Sequence, residues 1–253
     1  IKYRIYSSTF LYLETILKKR LFHETYNSSQ NFLMINNLDS LPLLKKDTVL
    51  VAFNLAFLAY YSKNIINHHK KIVLWPDGIT TKLFVKNIDK IPGYKLIDNI
   101  NFESFNKIIV VGNLENSEKN YLKKKTEKKI IFLKLPFFSM ESTDKIQLDT
   151  SIIDKDDIIL ITLPTPKQEI IANLLKEKIN DIYIVCIGGG LSIASGRIPR
   201  CPKILDSLGL EFLWRLQDDT YRRIKRISVS ILYAAKYFLL SRKKIKFSLI
   251  EKL

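Results

Sequence analysis

Short apolar runs alternate along this chain with longer segments in which apolar residues recur at helical spacing. The runs Thr48 to Phe53, Lys71 to Trp75, Lys107 to Val111, Lys129 to Leu135, Asp157 to Thr162 and Ile182 to Ile187 read as strands. Several are continuously apolar, as strands covered on both faces must be. Between them, Asn54 to Asn67, Thr80 to Lys90, Glu115 to Thr126 and Lys167 to Lys178 read as helices. An initial strand near Tyr3 to Tyr6, a helix from about Thr9 to Phe22 and a polar loop over Glu24 to Asn31 precede them. No internal repeat is visible.

Strands that alternate with helices predict a parallel sheet with crossover helices. The expected fold is therefore α/β and Rossmann-like: a mostly parallel central sheet of about six strands flanked by helices. A length of 253 residues with 47% hydrophobic side chains suits one large core. We expect an α/β domain over residues 1–215 and a basic helical appendage over 216–253. No stretch reaches the ~20 uncharged apolar residues of a membrane-spanning helix, and the first residues lack the order of a secretory signal. A cytoplasmic, non-integral protein is expected. Cys186 falls in an apolar run and Cys201 in a Pro-rich turn, so neither suggests a disulfide framework or a zinc site. His23, His68 and His69 are too scattered to form a metal site, and no cofactor is expected.

Charge changes the picture at the C-terminal end. The formal net charge is +16, and residues 215–253 hold eleven Lys/Arg against three acids, half of that excess. A chain this basic meets phosphates of nucleic acid, lipid or substrate. No nucleic-acid-binding motif is present, and aromatics are not interleaved with the basic residues as a stacking platform requires, so nucleic acid is not the expected partner. From Ile224 onward, Ile224, Ile227, Ile231, Ala234, Ala235 and Phe238 share one helical face, and Arg242, Lys243 and Lys244 follow. That pattern suits a helix lying in the headgroup region of an anionic leaflet. The competing reading is a helix packed on the protein's own core or on a second copy. The basic run Lys123 to Lys129 reads as a solvated helix end.

Open parallel sheets bind ligands outside the carboxyl ends of their strands, which directs attention to the turns there. Three stand out. In Trp75-Pro76-Asp77-Gly78 a carboxylate at the crevice could serve as general base, or Asp77 could be a helix cap and Gly78 turn geometry. In Leu163-Pro164-Thr165-Pro166-Lys167-Gln168-Glu169 the polar residues sit at a helix start, where a diphosphate or mere capping would fit. Gly188-Gly189-Gly190, followed by Ser192, lets the backbone approach a phosphate or sugar, or simply turns tightly. The dinucleotide spacing G-x-G-x-x-G is absent.

In order and together, these turns resemble the WecG/TagA/CpsF family, glycosyltransferase family 26. The strongest likeness runs from Gly188 to Arg226: the Gly-rich turn, Gly196, Arg200-Cys201-Pro202, Gly209-Leu210-Glu211-Phe212, Arg215-Leu216 and Arg222-Arg223. Upstream, Pro164-x-x-x-Gln168-Glu169, Pro76-Asp77-Gly78 and Asn54 match further family positions. The resemblance implies inverting, metal-independent transfer from a UDP-sugar to an undecaprenyl-diphosphate-linked acceptor, on the inner face of the bacterial cell membrane. The sugar would be N-acetylmannosamine, its uronic acid, or a hexose or hexuronic acid. The product would belong to a surface polysaccharide such as teichoic acid or capsule. Carried onto this chain, it implies Asp77 as general base with Gln168 also catalytic. Asn54, Gly78, Thr165, Gly188, Gly189, Gly190 and Ser192 would lie toward the donor. Lys90, Arg215, Arg222, Arg223 and Arg226 would face phosphate or acceptor.

The chain also departs from the family pattern, with Ala52, Lys95 and Ser192 where the family often carries Thr, Asp and an acid. These departures support a second reading, a nucleotide-sugar-binding relative without catalysis.

Overall fold

A computed structural model describes residues 30–43, 47–62, 72–85, 88–136, 138, 146, 148–207, 211–214, 224, 227–233, 235 and 245–250. Eight strands form one sheet: β1 (Gln30–Ile35), β2 (Val49–Phe53), β3 (Ile72–Pro76), β4 (Lys107–Val111), β5 (Lys129–Leu133), β6 (Ile158–Ile161), β7 (Tyr183–Cys186) and β8 (Ile245–Ile250). Their order is β5-β4-β6-β7-β2-β3-β1-β8, and every pairing is parallel. This is the expected Rossmann-like α/β architecture, with two more strands than expected.

Alternate residues of each strand feed two apolar layers. One layer joins Val49, Val51, Phe53, Ile109, Val111, Ile159, Ile161 and Cys186 to Phe57 of α1 (Leu55–Ser62) and to Ile171 and Leu175 of α4 (Lys167–Lys178). The other joins Leu50, Ala52, Trp75, Ile108, Val110, Leu160 and Ile187 to three further helices. Those contribute Leu96 and Ile97 of α2 (Gly93–Asn99), Leu122 of α3 (Asn116–Lys125) and Leu191 of α5 (Gly190–Ala194). Among the described residues, the helical stretches α6 (Lys203–Ser207) and α7 (Glu211–Trp214) follow.

Three expectations need correction. Strand β1 begins inside the stretch read as a loop. Thr80 to Lys90 is not an α-helix: a 3-10 turn spans Ile79–Leu83, and the helix instead begins at Gly93, directly after Pro92 has fixed an extended N-cap (φ −64°, ψ 146°). Third, the tail is not wholly a helical appendage. Residues 227–233 are helical, but Ile245–Ile250 return to the sheet as β8, pairing with β1 along its full length. Phe247 of β8 packs edge-on against Phe53 at 5.0 Å, and the Ser40 hydroxyl donates to the Ile250 carbonyl at 2.9 Å. The expected elements near Tyr3 to Tyr6 and Thr9 to Phe22 lie outside the described residues.

Candidate active site

Four neighbouring strands, β6, β7, β2 and β3, open at their carboxyl ends onto a cleft of about 580 Å³. Asn54, Asp77, Thr165, Gln168, Gly188, Gly189, Gly190 and Ser192 all line it. Residues far apart in sequence meet here because each follows a strand, and the strands are adjacent in the sheet.

Asn54 follows β2 and caps α1: its Oδ1 accepts the Phe57 N–H at 3.1 Å. With the oxygen committed to the cap, the amide nitrogen faces the end of β3 and donates to Asp77 Oδ2 at 3.1 Å. The Asp77 backbone N–H donates to the Phe53 carbonyl at 3.3 Å, so the turn carrying the carboxylate is pinned to its neighbour. Gly78, at φ 87°, turns the chain just outside the cleft lining.

Across the cleft, Gln168 is 2% exposed and its amide is heavily engaged within the protein. Nε2 donates to Thr165 Oγ1 at 3.0 Å and to Glu169 Oε1 at 2.9 Å, while Oε1 accepts the Gly188 N–H at 3.0 Å. Both amide hydrogens are thereby used, and the side chain clamps the turn after β6 to the turn after β7. Thr165 Oγ1 also donates to Glu169 Oε1 at 3.0 Å. Glu169 is buried, and its Oε2 has no hydrogen-bond partner among the described residues. Burial pushes its carboxyl up to about 7, against the opposing pull of its hydrogen bonds to Gln168, its own backbone and Thr165.

The glycine turn has two separate reasons for glycine. Gly188 adopts φ 50°, which side chains disfavour. Gly190 meets Gly93 at the crossing of α5 and α2, where an added Cβ would lie 2.8 Å from the Gly93 carbonyl carbon. Beyond the turn, Ser192 donates to buried Glu118 Oε1 of α3 at 2.5 Å. Arg197 closes the group, donating to Ser192 Oγ at 2.7 Å and lying 3.3 Å from Glu118 Oε1. Ser192 therefore links the glycine turn to a carboxylate from another helix.

Sequence reasoning did not single out Arg197, Lys167 or Glu118. Arg197 and Lys167 line the cleft and bring positive charge to it; the Lys167 ammonium also lies 4.4 Å from the Phe138 ring centroid. Lys90 lies outside the cleft lining. Its ammonium binds Asp206 Oδ1 at 2.5 Å and also Glu211. Burial alone would lower its pKa, but hydrogen bonds and charge from both carboxylates together hold it above the usual lysine value. Arg215, Arg222, Arg223 and Arg226 lie outside the described residues.

Among the described residues no group of three or more His, Cys, Asp or Glu side chains is placed to hold a metal ion. The sequence Asp154-Lys155-Asp156 sits before β6, at the opposite, amino end of the strands, where Lys107 pairs with Asp154 and Asp157. Cys186 is buried and Cys201 half-buried, and no disulfide joins them. Among the described residues no helix is long and apolar enough to cross a membrane.

A doubly wound parallel sheet with its cleft at the strands' carboxyl ends defines the general class of α/β ligand-binding enzymes. Within that class, the model of the glycosyl transferase WecG/TagA/CpsF family matches residues 45–247, from just before β2 into β8. The chain belongs to this family and is a glycosyltransferase of surface-polysaccharide synthesis. Every cleft-lining residue named above falls within the matched span.

Proposed function

We propose that the chain transfers one sugar, with inversion and without a required metal, from a UDP-sugar to an undecaprenyl-diphosphate-linked acceptor. The sugar is N-acetylmannosamine, its uronic acid, or a hexose or hexuronic acid. The observation that carries this reading is the Asp77 carboxylate at the end of β3, held by the Asn54 amide and lining the same cleft as the glycine turn.

In this reading Asp77 takes the proton from the acceptor hydroxyl as its oxygen forms a bond to the anomeric carbon. The bond from that carbon to the diphosphate breaks, and the electron pair leaves with the nucleotide. Arg197 and Lys167 oppose the charge that builds on the departing diphosphate, and the backbone of Gly188 to Gly190 gives the donor close approach. Gln168, with both amide hydrogens committed, acts by holding two site turns in register rather than by moving a proton. Arg215, Arg222, Arg223 and Arg226 are proposed to meet phosphate from the tail.

We place the protein on the inner face of the cell membrane. Ile224, Ile231 and Leu232 are 48%, 53% and 68% exposed, whereas Ser230 of the same helical stretch is buried. A helix with apolar residues outward and basic residues nearby suits an anionic lipid surface. A second copy of the chain could cover the same residues.

The test is release of nucleoside diphosphate from a panel of sugar nucleotides, with a short-chain prenyl-diphosphate-linked aminosugar as acceptor. Acceptor-dependent release that falls about 10²–10⁴-fold in Asp77→Asn supports the reading. Nucleotide binding with no release from any donor would favour the non-catalytic relative.

A further inference from the structure

The segment Ile198 to Trp214 leads from the glycine turn toward the basic tail, and its described helical stretches are Lys203–Ser207 and Glu211–Trp214. Among the described residues the holding contacts converge on one short stretch, Lys90 to Asp98. The Lys90 ammonium sits between Asp206 of α6 and Glu211 of α7, so one cation binds both helices. Arg200 lies 4.7 Å over the Tyr94 ring and 3.7 Å from Asp98 Oδ2. Trp214 Nε1 donates back to the Pro199 carbonyl at 3.3 Å. Tyr94, Cys201, Asp206, Glu211 and Trp214 enclose the small space between the two sides.

That stretch also reaches the cleft. Gly93, three residues after Lys90, is the residue against which Gly190 of the glycine turn packs. An ammonium only 17% exposed, facing carboxylates 35% and 15% exposed, is shielded enough from water for the pairing to matter.

We propose that Lys90 is a positioning residue: bound by Asp206 and Glu211, it latches α6 and α7 against α2 and so fixes where the basic tail begins relative to the cleft. The assignment rests on the glycosyltransferase reading only for its kinetic readout; the structural readout needs no activity. It is distinct from direct phosphate binding by Lys90, because the two roles give opposite signs when the acids are neutralised.

The experiment uses the full chain with Lys90→Met, Lys90→Arg, Asp206→Asn/Glu211→Gln, and the triple combination of the last pair with Lys90→Met. Amide hydrogen exchange is followed over residues 203–214, with α4 as internal reference. A latch predicts exchange over 203–214 at least about tenfold faster in Lys90→Met and in the double acid variant. It also predicts near-wild-type exchange in Lys90→Arg, and no further gain in the triple variant, because all three groups form one interaction. Turnover should show the same pattern as a raised KM for the acceptor, with kcat changed less. Unchanged exchange over 203–214 in Lys90→Met would overturn the proposal. So would tighter binding of UDP by the double acid variant than by wild type, since an ammonium freed for phosphate is the opposite role. If α4 exchange also rises in Lys90→Met, the Lys90→Arg and double acid variants decide the question.

Discussion

Asn54 Nδ2 and Asp77 Oδ2 lie 3.1 Å apart across the ends of two adjacent strands, and the other end of the same amide caps α1. The contact therefore makes the orientation of the proposed base depend on a helix cap. Asn54→Asp preserves the cap but sets a second carboxylate against Asp77. Like charge raises the pKa of the pair, so activity at neutral pH should fall and recover as pH rises. Asn54→Ala loses both contacts and should cost about 1 kcal/mol of stability from the cap alone. A kcat/KM profile against pH, beside thermal melts, separates the two effects.

Glu169 makes stability depend on pH in an unusual direction. Its carboxyl titrates near 7 in the folded chain and at the ordinary 4.5 when unfolded, so the folded state holds the proton more tightly. Between those values the folded state binds more protons than the unfolded one, and stability falls as pH rises. The full cost, about 3 kcal/mol, is present above pH 7 and absent below about 4.5. Glu169→Gln should abolish this part of the slope, visible as a difference in Tm between the two proteins that grows from pH 5 to 7. A parallel pair of Tm curves would count against the buried carboxyl titrating there.

The glycines of the third turn should not respond alike. Gly190→Ala forces a Cβ against the Gly93 backbone and should cost about 1–3 kcal/mol. Gly188→Ala, strained at φ 50° but with its nearest neighbour 3.7 Å away, should cost about 1–2 kcal/mol. An added Cβ at Gly189 meets nothing within 4 Å, so Gly189→Ala should leave Tm nearly unchanged. Equal losses at all three positions in thermal melts would refute this ranking.

Arg197 lines the cleft without matching any motif residue. Arg197→Ala should weaken UDP binding about tenfold and reduce its dependence on salt, measured by titration calorimetry at two ionic strengths. Unchanged affinity would leave the guanidinium as a structural partner of Glu118 and Ser192 alone.

Six strands were legible because strands buried on both faces read as unbroken apolar runs, such as Val49–Phe53 and Ile158–Ile161. The two strands that escaped notice, β1 and β8, lie side by side at one end of the sheet, and polar residues such as Gln30, Asn31, Lys246 and Ser248 break their apolar runs. Ile-Lys-Phe-Ser-Leu-Ile of β8 does alternate with period two, but basic residues on either side masked the signal. Helix α2 was unreadable for another reason: a helix that begins Pro-Gly has no local start signal and is fixed by the Gly93 to Gly190 approach. The cleft turns could be found because ligand-facing residues follow strands. Glu118 could not, since within Asn-Ser-Glu-Lys-Asn-Tyr-Leu it reads as a solvated helix residue. Ser192 of α5 and Arg197 just beyond it meet one carboxylate oxygen, while the other accepts the Glu115 N–H, and the carboxylate is buried.

Strand β8 gives the tail a second mooring. Residues 215–244 run between α7, held at Glu211, and a strand zipped to β1 over six residue pairs. Both flanks of that segment are therefore fixed to the body of the protein. Cutting the chain after residue 215 would therefore do more than remove basic residues. It would strip the rim of the sheet, bare the backbone edge of β1 and uncover Phe53 beneath Phe247. The proposed membrane contact is better tested by changing Ile231 and Leu232 where they stand, with both moorings intact.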